Sequence, residues 1–358
     1  MVLSQPPSSR VALWVVPVSE LAGVARHVLD VARAGLPGWE LSFLAPPGAL
    51  PQRLRELGAD VTEAPFGPDH GLRTSVATLR EVVRRERPAV VHTHLSYADI
   101  VAALAVGQGP RLVTTEHGIA RDDVVYHRST TKARVMALAH TARLRRFDAA
   151  IAVSRATAEV MREKWHPRVP VTVVPNGVDP VASLASRPTT GLRVLSLARL
   201  SPEKRLPALV DGFAELLTTH PAARLTLAGT GPEEEALRAQ VERLGLRDAV
   251  TMPGFVDPDA AMAEHDVLAM LSVWENCSYA LLDAAARGMG VVASDVGANP
   301  EILPATSLVP ADDPAAVATA LARQGLDLDA RPGLADWPDV AQMCGQVVAT
   351  YDAAGAGR

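Results

Sequence analysis

Apolar and polar positions follow one repeated order along this chain. A short continuous apolar run gives way to a loop of small or charged residues, then to a longer segment with apolar residues three and four apart. The short runs read as strands buried on both faces, and the longer segments as helices packed over them. Strands are predicted at 11–18, 40–45, 89–94, 112–115, 149–154 and 171–174, with helices near 24–33, 50–57, 74–87 and 155–164 between them. Gly58 and Pro88 supply two of the helix stops. Residues 180–190 (Pro-Val-Ala-Ser-Leu-Ala-Ser-Arg-Pro-Thr-Thr) have linker composition, and the domain boundary is placed there. The order then restarts with strands at 192–198, 224–228, 250–252, 266–274 and 291–293. Ser201 and Pro202 open a helix whose apolar positions 206, 209, 210, 213, 216 and 217 form one face. A helix at 280–287 and segments at 307–310, 312–330 and 340–353 complete the chain. Strand, loop, helix, strand is the crossover unit of a parallel sheet. The pattern therefore predicts an α/β protein of two domains, 1–180 and 190–337, each with its own parallel sheet.

Composition narrows this picture. A chain of 358 residues is long enough for two ordinary cores, and 48% hydrophobic content excludes a disordered chain. Few aromatics with abundant Ala, Arg and Pro resemble a high-GC bacterial proteome. Two cysteines, Cys277 and Cys344, make neither a disulfide framework nor a metal cluster, so a reducing, cytoplasmic setting is expected. No apolar run approaches the roughly 20 residues that span a bilayer. Residues 11–18 could pass for a signal core, but Pro17 and the lack of a cleavage site favour a first strand. The net charge of −5 hides an asymmetry: 22 Lys/Arg against 17 Asp/Glu in 1–180, and 13 against 23 in 181–358. The basic half leaves peripheral contact with the inner face of a membrane open, and nothing suggests a nucleic-acid partner.

Candidate chemistry concentrates at 275–301. The apolar run there ends in Glu275, followed by Asn276, Cys277 and Ser278 and then by helix formers. Asn276 or Ser278 can cap that helix, and the N–H groups at its start, around Cys277, Ser278, Tyr279 and Ala280, offer an anion site. Glu275 and Asp283 flank it. A phosphate on the amides with hydroxyls held by the acids describes a nucleotide-sugar site; an ordinary sheet-edge helix with solvated acids is the alternative. Arg199 and Lys204 fall at a strand end and in the next helix's first turn, where both can aim at a ligand. Gly23 follows the first strand and lets a ligand approach the backbone. His92 and His94 share one strand face because side chains alternate. Such a pair can bind zinc, but no Cys or acid cluster accompanies it. His117 ends another strand. Residues 121–146 carry seven Lys/Arg with interleaved apolar residues, read as a solvated helix with a core stripe or as a face toward an anionic acceptor or lipid. Asp257-Pro258-Asp259 and Asp327-Leu328-Asp329 read as helix caps, and Asn176-Gly177 as a tight turn.

Several of these segments, in order, resemble the retaining glycosyltransferases of family 4 (group 1), which have the GT-B fold. Glu275 and Asp283-Ala284, Gly288, Gly297 and Glu301 are similar to that family's Glu, seven residues, Glu signature, with the second acid one methylene shorter. Arg199-Leu200 through Lys204 resembles Gly-Arg-Leu-x-x-x-Lys-Gly, with Ala198 and Arg205 in place of the glycines. Thr115-Glu116-His117 is similar to Thr-x-His, and Gly229-Thr230-Gly231-Pro232 to Gly-x-Gly-Pro. The resemblance implies two Rossmann-like domains with parallel sheets facing a central cleft, and a last helix, about 338–358, packing back on the first domain. It assigns Arg199 and Lys204 to the donor diphosphate, Glu275 to sugar hydroxyls and Asp283 to the ribose. Gly254 and Phe255 would line the base pocket, with Gly23 near the diphosphate and His117 close to the sugar or leaving phosphate. The expected reaction is metal-independent transfer with retention from a nucleotide sugar, UDP-sugar favoured, and no cofactor is expected. The acceptor would be a hydroxyl of a cell-envelope glycan, lipid-linked sugar or natural product. A non-catalytic binding partner and a nucleotide-sugar epimerase are the alternatives.

Overall fold

A computed structural model describes residues 10–119, 140–180 and 189–356. The chain divides into two units, 1–177 together with 338–358, and 178–337.

In the first unit the described residues form a seven-stranded sheet. Its strands are β1 (Arg10–Val15), β2 (Trp39–Ala45), β3 (Asp60–Glu63), β4 (Val90–His94), β5 (Arg111–Glu116), β6 (Ala149–Ala152) and β7 (Val171–Val173). All pairs are parallel, in the order β3-β2-β1-β4-β5-β6-β7. The stretch that could pass for a signal core is thus a central strand. Alternation along β1 explains its fully apolar text. Ala12 and Trp14 join one buried cluster with Phe43, Val28 and Val31, while Leu13 and Val15 join another with Leu44, Phe66 and Leu79. The helix Val340–Ala353 belongs to the first cluster through Val340, Met343, Cys344, Val347 and Tyr351. A reciprocal capping box between Asp339 and Gln342 starts it.

Asn176-Gly177 has a different use from the tight turn its text predicts. Neither residue has a positive φ. Gly177 is needed because a Cβ there would lie 2.5 Å from the carbonyl oxygen of Asp339, where the last helix meets the chain. Most of the basic segment 121–146 lies outside the described residues, as does most of the linker 180–190.

The second unit holds a six-stranded sheet: β8 (Arg193–Leu197), β9 (Arg224–Ala228), β10 (Val250–Gly254), β11 (Val267–Met270), β12 (Gly290–Ser294) and β13 (Leu308–Val309). These are parallel in the order β10-β9-β8-β11-β12-β13. The helix Leu206–Thr219 buries Leu206, Leu209, Val210, Phe213 and Leu216. It crosses the helix Pro314–Leu326 so closely that a Cβ on Gly212 would meet Val317 at 2.4 Å. Asp266, at the base of β11, is not part of the apolar run. It accepts two side-chain bonds from Arg193 at 2.9 and 2.8 Å and one from Thr189 at 3.0 Å, which ties the segment entering β8 to the sheet. Asp257 and Asp327 accept backbone N–H bonds as helix caps, from Ala260 and Asp329.

The first turn after β8 departs from expectation. Ser201 and Pro202 start a 3-10 turn, Pro202–Lys204, and the α-helix begins only at Leu206. Ser201 donates to Glu203 at 2.6 Å instead of capping a helix. Between the two pieces Arg205 sits at φ 49°, ψ 37°, the left-handed region that favours glycine. The side chain therefore strains a backbone shape the turn requires. Arg205→Gly is expected to raise stability by about 1 kcal/mol, read as a higher denaturant midpoint at unchanged slope.

Candidate functional site

In a doubly wound sheet, ligands are received outside the carboxyl ends of the strands, at the point where strand order reverses. In the second unit that point lies between β8 and β11. The loops leaving these strands bring together the residues the sequence singled out. Lys204 Nζ lies 2.5 Å from Glu275 Oε1, and Ser272 Oγ donates to the same oxygen at 2.6 Å. Both members are mostly buried, with side-chain exposures of 22% and 13%. The Val273 amide donates to the Glu203 carbonyl at 2.8 Å, so the loops after β8 and β11 are laced at the backbone too. The β12 loop joins them. Gly297 has φ +54°, and a Cβ on it would lie 1.9 Å from the Glu275 carbonyl oxygen, which accepts from the Ala298 amide at 3.0 Å. Only glycine fits there, and its fit fixes the height of Glu275.

Arg199, 73% exposed on its side chain, reaches Glu203 at 3.9 Å and, among the described residues, no nearer acid. It is a cation held loosely at the strand end. The glycine turn after β9 is pressed against this segment: Leu200 N–H donates to Thr230 at 3.0 Å, and a Cβ on Gly229 or Gly231 would strike the Ala198 or Leu200 carbonyl. The helix Tyr279–Ala286 starts beside Glu275 in sequence. Ser278 occupies its N-cap position, but its hydroxyl makes no capping bond. The N–H groups of the first turn around Ala280 are thus not closed by that side chain, as an anion site requires. Cys277, Tyr279 and Asp283 are buried. Gly254 ends β10 with φ +81° and open space where a Cβ would be, and Phe255 beyond it is 82% exposed. An aromatic ring this bare has a free face for another ring.

The first unit reverses its strand order between β1 and β4. There the helix Gly23–Ala34 contributes Gly23 and His27, β4 ends in His94, and β5 leads to His117. Nothing lies within 4 Å of a Cβ built on Gly23, so this glycine is not required by protein packing. His92 and His94 share a face as alternation predicts, with ring centroids 4.7 Å apart. Their hydrogen bonding separates them. Trp14 can only donate, so the 3.0 Å Trp14–Tyr351 contact makes the phenol oxygen an acceptor, and its own proton goes to His92 Nδ1 at 2.7 Å. His92 Nε2 then donates to Thr115 at 2.7 Å, and both its nitrogens are used. His94 Nδ1 lies 2.9 Å from His117 Nε2, while His94 Nε2 has no partner among the described residues. His27 is buried, with the Asn176 side chain beside its ring. Burial lowers His27 to about 4 against the opposing side-chain hydrogen bond with Asn176, and burial drives His92, His94 and His117 well below the ordinary value. All four are neutral imidazoles at pH 7.

Behind this group lies a buried ionic cluster with no signature in the amino-acid text. Arg143 bonds Asp99 and, at 3.1 Å, Glu116, and its guanidinium sits 4.9 Å over the Trp165 ring. Asp99 also accepts from Thr93 at 2.5 Å and Thr114 at 2.9 Å. Burial pushes Glu116 up to about 7, with Arg143 pulling it down and Asp99 adding to the rise; burial likewise raises Asp99 against the pull of Arg143. His27 and Arg143 escaped notice for one reason. Each is an ordinary helix-pattern residue whose partners lie tens of residues away, so no local spacing marks it.

Two family models match the chain: Glycosyltransferase Family 4 over residues 21–181, and Glycosyl transferases group 1 over residues 191–324. A phosphatidylinositol N-acetylglucosaminyltransferase component of Homo sapiens is 28% identical over 245 residues, covering 66% of this chain and 49% of that protein. The putative colanic acid biosynthesis glycosyltransferase WcaL of Escherichia coli K12 is 30% identical over 258 residues, covering 66% of this chain and 61% of that protein. The chain thus matches about half to three fifths of the length of these relatives. Among solved structures, Anabaena Alr3699/HepE in complex with UDP and glucose superposes with a TM-score of 0.79 at 21% identity, covering 95% of this chain and 99% of that one. A glycosyltransferase from Rickettsia africae gives 0.76 at 16% identity, covering 98% and 100%. At these identities the structures establish the fold, which is GT-B.

Proposed function

Because the chain belongs to the family 4, or group 1, glycosyltransferases, we propose that it moves a sugar from a nucleotide-sugar donor to an acceptor hydroxyl with retention of configuration. The observation that carries this reading is the Lys204–Glu275 pair at the switch point of the second sheet. A cation and a carboxylate held side by side, with Arg199 and a helix start close in sequence, suit the two ends of one ligand. Lys204 and Arg199 meet the diphosphate, Glu275 accepts from the sugar hydroxyls, and Asp283 takes the ribose. Gly254 and Phe255 receive the base. UDP is favoured as the nucleotide because it is the one bound in the Anabaena protein.

In the reaction we propose, the bond from the anomeric carbon to the phosphate oxygen breaks as the acceptor oxygen bonds the same face of that carbon. The acceptor proton passes to the leaving phosphate, and the nucleoside diphosphate departs. Lys204 and Arg199 stabilise the charge that develops on it. His117, a neutral imidazole, donates a hydrogen bond to the sugar or the leaving group. No step calls for a metal. The acceptor is assigned to the first unit and is a hydroxyl of a cell-envelope glycan, lipid-linked sugar or natural product, with peripheral membrane contact through its basic residues. No described helix is long and apolar enough to cross a membrane.

Thermal unfolding with UDP, GDP, dTDP and ADP tests the donor half of this reading. UDP at a hundredfold excess over its dissociation constant is expected to stabilise by about 2.7 kcal/mol. The shift should disappear in Lys204→Ala and persist, reduced, in Glu275→Ala. A folded protein that responds to none of the four nucleotides would instead be a non-catalytic binding partner.

A further inference from the structure

We propose that His94 is a positioning residue for His117: it donates from Nδ1 to His117 Nε2 and so fixes the proton of His117 on Nδ1, the nitrogen left to meet the donor sugar or its leaving phosphate. The inference rests on the role given to His117 above and supplies the hydrogen-bond direction that the role requires.

The two rings meet through one contact, His94 Nδ1 to His117 Nε2 at 2.9 Å. Burial keeps both imidazoles neutral at pH 7, so each carries a single proton, and one proton lies in the contact. Two arrangements satisfy this. If His117 donates, the proton of His94 sits on Nε2, a buried N–H with no partner among the described residues. His117 Nδ1 is then a bare lone pair and can only repel a phosphate that gains negative charge. If His94 donates, its own Nε2 is the bare lone pair and His117 carries its proton on Nδ1. A buried N–H without an acceptor is the rarer of the two defects in folded proteins. The rings packed on His94 offer such a proton nothing. Trp14 has only a donor, already given to Tyr351, and both nitrogens of His92 are occupied by Tyr351 and Thr115. His94 is therefore the donor. The proton on one nitrogen of a histidine is set by the bond its other nitrogen makes, and here that bond fixes His117.

The scaffold holds the inner ring still. β4 stays extended through His94, at φ −120° and ψ 132°, and pairs it with Thr115 of β5, two residues before His117. The chain then turns at Leu95, φ 69°, a left-handed conformation that a leucine rarely adopts. The helix Leu95–Ala105 thus begins without drawing His94 out of the strand. The His94 ring packs on Trp14 and His92, with centroids 4.5 and 4.7 Å away, and is fully buried, whereas His117 is partly exposed. A ring locked by its packing orients its more exposed neighbour, as a preorganised site requires.

The test labels the histidines of the full chain isotopically and reads their tautomers from long-range proton–nitrogen correlation spectra, with the His117 signals identified by their loss in His117→Ala. Expected in the wild type is a His117 protonated on Nδ1 and bare on Nε2, with the Nδ1 signal shifting when UDP is added. His94→Leu should release that tautomer and lower kcat for UDP release from UDP-glucose by about 10–100-fold, with little change in KM. His94→Asn, whose amide can stand where the Nδ1–H does, should recover most of the loss. Circular dichroism of each variant separates lost positioning from lost fold. A wild-type His117 protonated on Nε2 overturns the inference without any assay of turnover, and so does an unchanged kcat in folded His94→Leu. His117→Ala at the wild-type rate would instead end the reading on which the inference rests, and the role of His94 with it.

Discussion

Lys204→Ala lowers the rate of nucleoside diphosphate release from a UDP-sugar by about 10²–10³-fold, the usual effect of removing one preorganised group from a developing negative charge. The ammonium is held in advance, 2.5 Å from Glu275 and largely out of solvent. No reorganisation is then needed as the phosphate gains charge. Glu275→Gln should cost a comparable factor for a different reason, because the amide keeps the Ser272 contact but no longer anchors the lysine. Breaking a charged pair this largely out of solvent also costs stability, about 1–3 kcal/mol. Initial-rate assays beside thermal melts separate the two effects. A Lys204→Ala enzyme within threefold of the wild-type rate would end the diphosphate assignment.

The largest stability effect is expected at Arg143. Removing one member of a buried ion cluster leaves uncompensated charge and costs about 3–5 kcal/mol. In Arg143→Met, Asp99 and Glu116 face each other without their cation. The melting temperature should fall by roughly 10 °C for a unit of this size. The deficit also has a predictable pH dependence. Both carboxyls already titrate above their ordinary values, and loss of Arg143 raises them further. A carboxyl raised in the folded state favours folding below its unfolded value and loses that advantage as pH rises through its folded value. The gap between variant and wild type should therefore shrink from pH 8 to pH 6, the histidines contributing equally to both. Adding Asp99→Asn and Glu116→Gln should restore most of the loss. A gap that widens toward acid would mean the cluster is not held as described.

Much of the architecture is legible in the text because period and length decide it. The stretch 11–18 is apolar on every residue, as a central parallel strand must be, and 206–217 repeats at helical spacing. Lys204 and Glu275 are recognisable singly, but that they touch is not, because 71 residues separate them. Local chemistry misleads where backbone shape outvotes composition. Ser201-Pro202 reads as a helix start, yet Arg205 takes a left-handed turn and delays the helix. Asn176-Gly177 reads as a turn, yet the glycine makes room for a helix that arrives some 160 residues later. The Arg143 cluster left no trace, since its members share neither element nor spacing.

Tyr351 bonds Trp14 across a sequence separation of 337, and the helix that carries it completes the core begun by β1. The order in which a ribosome delivers the chain then matters. Residues 178–337 emerge as one continuous piece and can close their own sheet during synthesis. The first unit, although made earlier, must wait with the Trp14 face of its sheet uncovered until residues 340–353 arrive. Of the two units, the one begun first is thus finished second, and the surface that Val347 and Tyr351 cover stays bare while residues 178–337 are made.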